Sequence, residues 1–308
     1  MTPQTIGYLL LPINAILFTG LFVVNKEYGK RLKGNVFNAL LFAVIAGSGN
    51  ALVFFALSGI QGFRFDPASL SYAALYGLLF VLTQISGVLA ASKRGNMSFY
   101  SQSFMLGGMI LPFFYGVFWA KESASPLKII AIVLMVISLV VPLFDSWKAK
   151  GQNGKMSVPF FLLCLLALLS NGTNCVILSA HSRAVSATSP FVFTGFYSLF
   201  TAVFAGLGFG IAWIATPNKE EKGKAKLSFA LAPLLLALLY GLLMSFGSYT
   251  GMEGVMRVDA SMFFPVSSGI CIALSFFICR FPYKERMGVF ATIGFVITSV
   301  ATVLFLFS

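Results

Sequence analysis

Arg94 to Glu122, RGNMSFYSQSFMLGGMILPFFYGVFWAKE, and Arg257 to Glu285, RVDASMFFPVSSGICIALSFFICRFPYKE, are the two stretches that decide the fold of this chain. Each begins with Arg, has Ser four positions later and ends in Lys-Glu, at a constant offset of 163 positions (257 − 94 and 285 − 122). The pentapeptide LYGLL also occurs twice, at 75–79 and 239–243. An offset kept through helix ends and loops indicates a duplicated unit, which in a membrane chain is typical of transporters.

The composition predicts an integral membrane protein. Of the 308 residues, 58% are hydrophobic and only 10% are charged, with a mean hydropathy of +0.91. Such a chain cannot cover a soluble surface with polar groups. A membrane-spanning helix needs roughly 20 apolar residues, so this length accommodates about ten helices and little else.

Apolar runs separated by polar breaks predict the ten spans. The first run, Ile6 to Val24, lacks a preceding basic residue and a cleavage site, so we expect it to remain as a membrane helix. The predicted spans are 5–25, 36–60, 69–92, 98–119, 127–146, 158–181, 190–214, 229–252, 261–281 and 289–307.

Basic residues predict how the chain is oriented. Sixteen of the 21 Lys and Arg residues lie at the ends of predicted helices 1, 3, 5, 7 and 9. The positive-inside rule places these ends in the cytoplasm and both termini outside. The net charge of +12 is explained by this distribution, since basic loops face anionic lipid headgroups. We therefore expect lipids, and not nucleic acid, as the anionic partner.

The chain divides into two predicted five-helix units, at 1–146 and 158–308, joined by a connecting loop at 147–157. Because five is odd, the second unit enters the membrane from the opposite side. The repeats are therefore inverted, which is the arrangement that alternating access uses.

The repeated segments resemble a known family. Each half has a helix that ends in a Lys-Glu turn, Lys121-Glu122 and Lys284-Glu285, followed by one closing helix. This is similar to the drug/metabolite transporter superfamily in its ten-helix EamA-like form, whose best-known mark is a Gly-Glu turn at these two places. Lys replaces the Gly in both turns here. The resemblance implies a small-solute transporter with a central cavity lined by helices from both halves.

We expect the glutamates near the membrane ends to have two different roles. We expect Glu122 and Glu285 to have a structural role, each at the N-terminus of the helix that follows it, where a carboxylate meets the helix dipole. Glu253, at the end of helix 8, has no counterpart in the first half. It is a candidate for binding a cationic group or a proton, and the alternative is an ion pair with Arg257 one turn later.

Amides inside the predicted spans are the main candidates for substrate binding. A membrane amide tends to point into the bundle or a wet cavity, and interhelical hydrogen bonding alone is the alternative. Tyr249 and Ser267 are candidate hydroxyls lining the cavity. The candidate amides are Asn14, Gln84, Gln102, Asn171 and Asn174.

The remaining polar residues predict no metal centre, cofactor or enzyme activity. His181 is the only histidine, and its place at a helix end suggests a solvated side chain. The four cysteines lie in apolar segments without CxxC spacing, as buried hydrophobes do. The chain has no HExxH or GxSxG motif.

The sequence predicts a secondary transporter in a cell membrane, expected to be the plasma membrane of a bacterium. We expect the substrate to be an amino acid or related neutral solute, with export as the direction. A cationic-drug, nucleoside or sugar transporter of the same fold is the first alternative, and a channel or scaffold protein is the second. Monomer and homodimer remain equally open.

Overall fold

The computed structural model describes residues 2–31, 35–92, 97–142, 144, 157–184, 188–216, 230–284 and 288–307. Across these ranges the chain is helical and has no strand, so the predicted all-α class is confirmed. The described helices are α1 (Pro3–Arg31), α2 (Val36–Gln61), α3 (Ala68–Ser92), α4 (Met97–Phe118), α5 (Pro126–Val140), α6 (Val158–Ser182), α7 (Pro190–Ala215), α8 (Leu231–Val255), α9 (Ala260–Arg280) and α10 (Val289–Leu306).

Nine of these described helices are long and apolar enough to cross a membrane. The tenth, α5, is apolar but has 15 residues and ends at Val140, six positions before the predicted end at 146; positions 143, 145 and 146 lie outside the described residues. The other predicted boundaries hold to within a few residues except at the end of α1. That helix continues through Arg31 because its last turns contain good helix formers and an ion pair between Glu27 and Lys30, at 2.8 Å.

The packing of the helices has the two-fold pattern expected of two repeats. Three of the five pairs of helices that are five apart contact each other: α2 with α7, α4 with α9 and α5 with α10. The other large contacts occur in pairs that are related by exchanging the two halves. The contact between α1 and α8 matches that between α6 and α3, and the contact between α4 and α6 matches that between α9 and α1. The contact between α3 and α7 likewise matches that between α8 and α2. Exchanging the first five helices for the second five therefore reproduces the contacts. The two halves interleave and share one core.

Glycine brings α4 and α6 into backbone contact. A Cβ atom added at Gly107 would lie 1.9 Å from the carbonyl oxygen of Leu168, and one added at Gly172 would lie 2.6 Å from the carbonyl oxygen of Gly107. No side chain fits at such distances. Close approach through small residues is how membrane helices gain packing energy without a hydrophobic driving force.

Three further glycines connect α2, α3, α7 and α8 in the same way. A Cβ added at Gly47 would lie 2.8 Å from the carbonyl oxygen of Ser198, and one added at Gly77 would lie 2.8 Å from the carbonyl oxygen of Tyr197. At Gly241 it would lie 2.7 Å from the Ala46 carbonyl oxygen. These four helices therefore form a set in backbone contact.

The turns after α4 and α9 have the same backbone structure. The Ala120 N–H donates to the Tyr115 carbonyl at 3.1 Å, and the Tyr283 N–H donates to the Ile278 carbonyl at 3.3 Å. Lys121 and Lys284 follow with φ of 57° and 52°. This left-handed conformation is the one that glycine adopts without strain. The lysines thus keep the turn that the resemblance assigns to Gly.

Candidate functional site

Glu122 joins the two halves of the protein. Its carboxylate accepts hydrogen bonds from the backbone N–H groups of Ala260, at 3.2 Å, and Ser261, at 2.9 Å, and forms an ion pair with Arg183 at the end of α6. Its side chain is 4% exposed. The expected structural role is therefore present but on a different helix, because Glu122 caps α9 and not α5.

The cap of α5 is supplied by Ser125, whose side chain accepts a hydrogen bond from the Lys128 N–H at 3.2 Å. The sequence prediction assigned Glu122 to the nearest helix in the chain, and only the tertiary fold brings α9 to it. Glu285, its repeat partner, lies outside the described residues.

The surroundings of Glu122 favour its charged form. Desolvation by burial raises the pKa of its carboxyl group, and the hydrogen bonds from Ser261 together with the Arg183 guanidinium lower it more, so that the pKa is below the usual 4.5. Glu122 is therefore ionised at neutral pH, as an ion pair and a helix cap require.

Glu253 forms an ion pair with Arg257 one turn later, as the structural alternative predicted. The Arg257 guanidinium also donates to the Glu253 carbonyl oxygen. The two side chains are 19% and 27% exposed, so Glu253 lies at the surface end of α8. The structure does not bring it together with the intramembrane amides.

Asn14 connects α1 to α8 and α9. Its side-chain N–H donates to the Gly247 carbonyl at 2.6 Å and to the Thr250 hydroxyl at 2.9 Å, and its carbonyl oxygen accepts from the Ser267 hydroxyl at 2.7 Å. Two predicted site residues, Asn14 and Ser267, are thus in direct contact. Their hydrogen bonds already have protein partners, which is the interhelical role.

Asn171 occupies the matching place on α6 and donates to the Phe104 carbonyl of α4 at 2.8 Å. Its amide nitrogen, the Cys175 sulfur and the Ser268 hydroxyl all lie within 3.5 Å of the position that a Cβ on Gly108 would take. Ser267 and Ser268 are adjacent on α9, so this helix passes between the two asparagines. The sequence analysis gave Asn14 and Asn171 similar places in the two halves, and both side chains are buried and bonded to a neighbouring helix.

A second buried polar cluster, which we call the hydroxyl cluster, consists of Tyr76, Tyr197, Ser245 and Ser248. The hydroxyls of Tyr76 and Ser248 are 2.8 Å apart, and Tyr197 donates to Ser245 at 3.2 Å. The two tyrosine rings pack with centroids 4.4 Å apart. Asn50 on α2 also donates to Ser245. Asn50 and Tyr197 were not predicted, although Asn50 carries the same signal as the other intramembrane amides.

Gln84 and Asn174 differ from the other candidate amides. Both side chains are fully buried, and neither the oxygen nor the nitrogen of either amide has a hydrogen-bond partner in the described part of the chain. Gln84 lies eight residues beyond Tyr76 on α3, which is about 12 Å along the helix. Asn174 precedes Cys175, the α6 residue whose sulfur lies near Gly108. An unpaired buried amide costs free energy unless a ligand or water satisfies it.

Gln102 and Tyr249 lie away from this centre. The Gln102 amide donates to the Ser138 carbonyl at 3.1 Å and contacts Thr298 at 3.5 Å, which places it between α4, α5 and α10. The Tyr249 ring stacks on Phe191 with centroids 4.5 Å apart. Helix position alone did not reveal which neighbour each side chain faces.

The prediction of a solvated His181 is wrong. The side chain is 0% exposed, stacks on Phe193 with centroids 3.9 Å apart and contacts the Ser69 hydroxyl at 3.0 Å through Nε2. Ser69 in turn accepts from the Thr188 N–H at 3.2 Å. The helix end is covered by the first turns of α3 and α7, which sequence position could not indicate.

The described residues contain no group of His, Cys, Asp and Glu able to hold a metal ion. All four cysteines are free thiols. Cys164, Cys271 and Cys279 are buried, as expected of small hydrophobic residues, and Cys175 is partly buried.

One cavity among the described residues is lined by apolar and aromatic side chains of α4 and α6 and by none of these candidate residues. It has a volume of about 440 Å³ and is lined by Leu111, Phe114, Tyr115, Trp119 and Val176. Phe114 and Trp119 are exposed, so this is an apolar groove on the outer surface of α4 and α6. Exposed aromatic rings near a helix end are typical of the membrane interface.

Comparison with known proteins supports the fold. No family model matches this chain, and no curated protein does. Among solved structures, 28 chains are similar to it. The chain of one crystal structure, described only as a protein, matches over 98% of both chains with a TM-score of 0.66 and 15% identity. At this identity the likeness concerns the fold alone.

Proposed function

We propose that this protein is a secondary transporter that moves a small neutral polar solute across a cell membrane by alternating access. The observation that carries the proposal is that two buried amides, Gln84 and Asn174, have no hydrogen-bond partner among the described residues and lie inside a bundle of two interleaved five-helix repeats. Inverted repeats allow one arrangement of two similar halves to be converted into its opposite. The resemblance to EamA-like drug/metabolite transporters supports the same function.

The chemistry of the interior favours a neutral solute. The described acidic residues and arginines all lie at helix ends or in loops, and Asn14, Asn171 and the hydroxyl cluster supply the central polar groups. Moving a charged solute past uncharged groups in a membrane is costly without a counter-charge. An amino acid, which is neutral overall, or a related metabolite fits this interior better than a cationic drug.

The proposed location follows from the distribution of the basic residues. We propose the bacterial plasma membrane, with the C-terminal ends of α1, α3, α5, α7 and α9 in the cytoplasm, since Lys and Arg concentrate in the loops that follow them. Export is the proposed direction. Lipids and the solute are the proposed partners, and no cofactor is required for this mechanism.

Counterflow in proteoliposomes tests the proposal. Vesicles are loaded with neutral amino acids, nucleosides, sugars or organic cations, with and without a proton gradient, and uptake of the labelled solute is measured. We expect saturable uptake of one neutral solute that is accelerated by the same solute inside. Asn174→Leu should abolish it, while Thr292→Val, at an exposed position of α10, should not.

Three results would contradict the proposal. Saturable uptake of organic cations alone would favour the cationic-drug alternative. Flux that does not saturate and shows no acceleration by internal solute would indicate a channel. Full transport by Asn174→Leu and Gln84→Leu would remove the unpaired amides from the site.

A further inference from the structure

Helix α9 is held at both of its ends by residues of other helices. At its N-terminus, the first two N–H groups donate to Glu122, which also pairs with Arg183. Lys128, itself buried, adds a contact from its Nζ to the Ser261 hydroxyl at 3.5 Å. We call this group of contacts, Glu122 and Arg183 with Ala260 and Ser261, the Glu122 latch.

The other end of α9 is held through Tyr283 in the turn that follows it. The Tyr283 hydroxyl donates to Glu27 at 2.8 Å, and the Nζ atoms of Lys26 and Lys30 lie 3.7 and 4.4 Å from the centroid of its ring. Cations over an aromatic face are attracted by the ring quadrupole. We call this group, Tyr283 with Lys26, Glu27 and Lys30, the Tyr283 latch.

The two latches occupy equivalent places in the repeats. Arg183 lies 157 positions after Lys26, as Asn171 lies 157 positions after Asn14. Tyr283 occupies the position in the turn after α9 that Ala120 occupies in the turn after α4. Each of the two residues donates the same kind of backbone hydrogen bond to a carbonyl five positions earlier. Each latch thus joins the end of a first helix of one repeat to the turn after a fourth helix.

At both ends of α9 the described residues pack closely. At the Tyr283 end, the crevice lined by Thr19, Ser275 and Tyr283 measures about 10 Å³, which is room for a single water molecule at most. At the Glu122 end, the Glu122 side chain is buried against α9. A route for a solute past either end of α9 therefore requires the contact at that end to break.

We propose that the Glu122 latch and the Tyr283 latch are alternating gates, which release opposite ends of α9 in turn. This inference rests on the proposed transport function for its purpose, but each gate can be observed without a substrate. When one latch opens, the other keeps α9 attached to the rest of the bundle, so the membrane is never open from end to end.

The two latches differ in chemistry, which gives them different sensitivities. The Glu122 latch depends on a buried carboxylate, a guanidinium and two N–H donors, and charge-assisted hydrogen bonds of this kind are strong. The Tyr283 latch is more exposed, with Lys30 at 52% and Glu27 at 33%, and exposed ion pairs are weakened by salt. Added salt should therefore release the Tyr283 end first.

Cysteine labelling from each side tests the gates. In a chain whose four native cysteines are replaced by Ala, one reporter is Leu178→Cys, one turn inside the Glu122 latch, and the other is Ser275→Cys, which lines the crevice at Tyr283. Both positions are buried. A membrane-impermeant maleimide is added to either side of oriented vesicles, and the labelling rate is measured.

When the maleimide is added on the side of the membrane where the Glu122 latch lies, we expect Glu122→Ala to raise the labelling rate of Leu178→Cys by about tenfold, corresponding to about 1.4 kcal/mol. The labelling rate of Ser275→Cys should not rise. Tyr283→Leu should do the reverse. Glu253→Gln is the matched control, since its ion pair with Arg257 stays within one helix end, and it should change neither rate.

Equal acceleration at both reporters would indicate loosening of the whole bundle and would overturn the proposal, as would no change at either. Arg183→Gln serves as a second variant, because it keeps the cap on α9 and should give a smaller increase than Glu122→Ala. Labelling needs no solute. A failed transport assay with correct labelling would therefore reject the proposed function and leave the gates in place, and the opposite pattern would reject only the gates.

Discussion

The carboxylate of Glu122 lies 2.9 Å from the backbone N–H of Ser261, although the two residues belong to opposite halves of the chain and are 139 positions apart. The first half therefore supplies a group that a helix of the second half needs. A carboxylate at a helix N-terminus satisfies N–H groups that have no partner within the helix. This contact makes the integrity of α9 depend on a turn in the first half.

Acid should weaken the Glu122 contact. The pKa of the Glu122 carboxyl group is below its usual 4.5 in the folded protein, so its contribution to stability is complete above about pH 4.5 and is lost as the pH falls through the lower folded value. We expect the unfolding temperature in detergent to fall over this acidic range. Glu122→Gln should lower the unfolding temperature at pH 7 and reduce the fall with acid.

Replacing Asn174 with Leu should separate stability from function. Because neither amide atom has a protein partner in the described chain, the substitution removes an unsatisfied polar group and should leave the unfolding temperature unchanged or higher. Solute counterflow should be lost. Asn14→Leu is the matched comparison, since it removes three hydrogen bonds and should destabilise the protein by about 1 to 2 kcal/mol. Equal destabilisation by both variants would contradict the assignment.

Gly107→Ala should disrupt the protein. The new methyl group would meet the Leu168 carbonyl oxygen at 1.9 Å, which forces α4 and α6 apart along their length. The yield of monodisperse protein after detergent extraction measures the effect. Gly206→Ala is the control, because nothing lies within 4 Å of the added atom. That variant should be neutral or stabilising by about 0.5 to 1 kcal/mol, since Ala favours a helix over Gly.

The left-handed lysines predict a stabilising change. Lys121→Gly should stabilise the protein relative to Lys121→Ala by about 1 kcal/mol, because both variants lose the ammonium group and only Gly adopts a φ of 57° without strain. The unfolding temperatures of the two variants provide the measurement. If Ala equals or exceeds Gly, the positive φ is not a source of strain.

Hydropathy was enough to predict the helices, because a span must be apolar over a fixed length whatever surrounds it. The exception was the end of α1, where charged residues continue the helix beyond the apolar run. The repeat also predicted the equivalent turns at Lys121 and Lys284. These features depend on local sequence or on the offset between copies.

The polar contacts depended on which helices meet, and the sequence predicted them less well. Asn14 and Asn174 are both intramembrane amides, yet one has three partners and the other has none in the described chain. His181 is buried because segments far away in the chain cover it. The partner of Glu122 could not be read from its neighbours for the same reason.

The backbone contacts at glycine define which helices can slide past one another. Helices α4 and α6 touch main chain to main chain at Gly107, and α2, α3, α7 and α8 do so at Gly47, Gly77 and Gly241. Each group contains helices from both halves of the sequence, and neither can shear internally without a clash. If the helices move, we expect the movement to occur between these groups, where side chains interdigitate. The groups joined main chain to main chain therefore do not coincide with the two copies of the repeat.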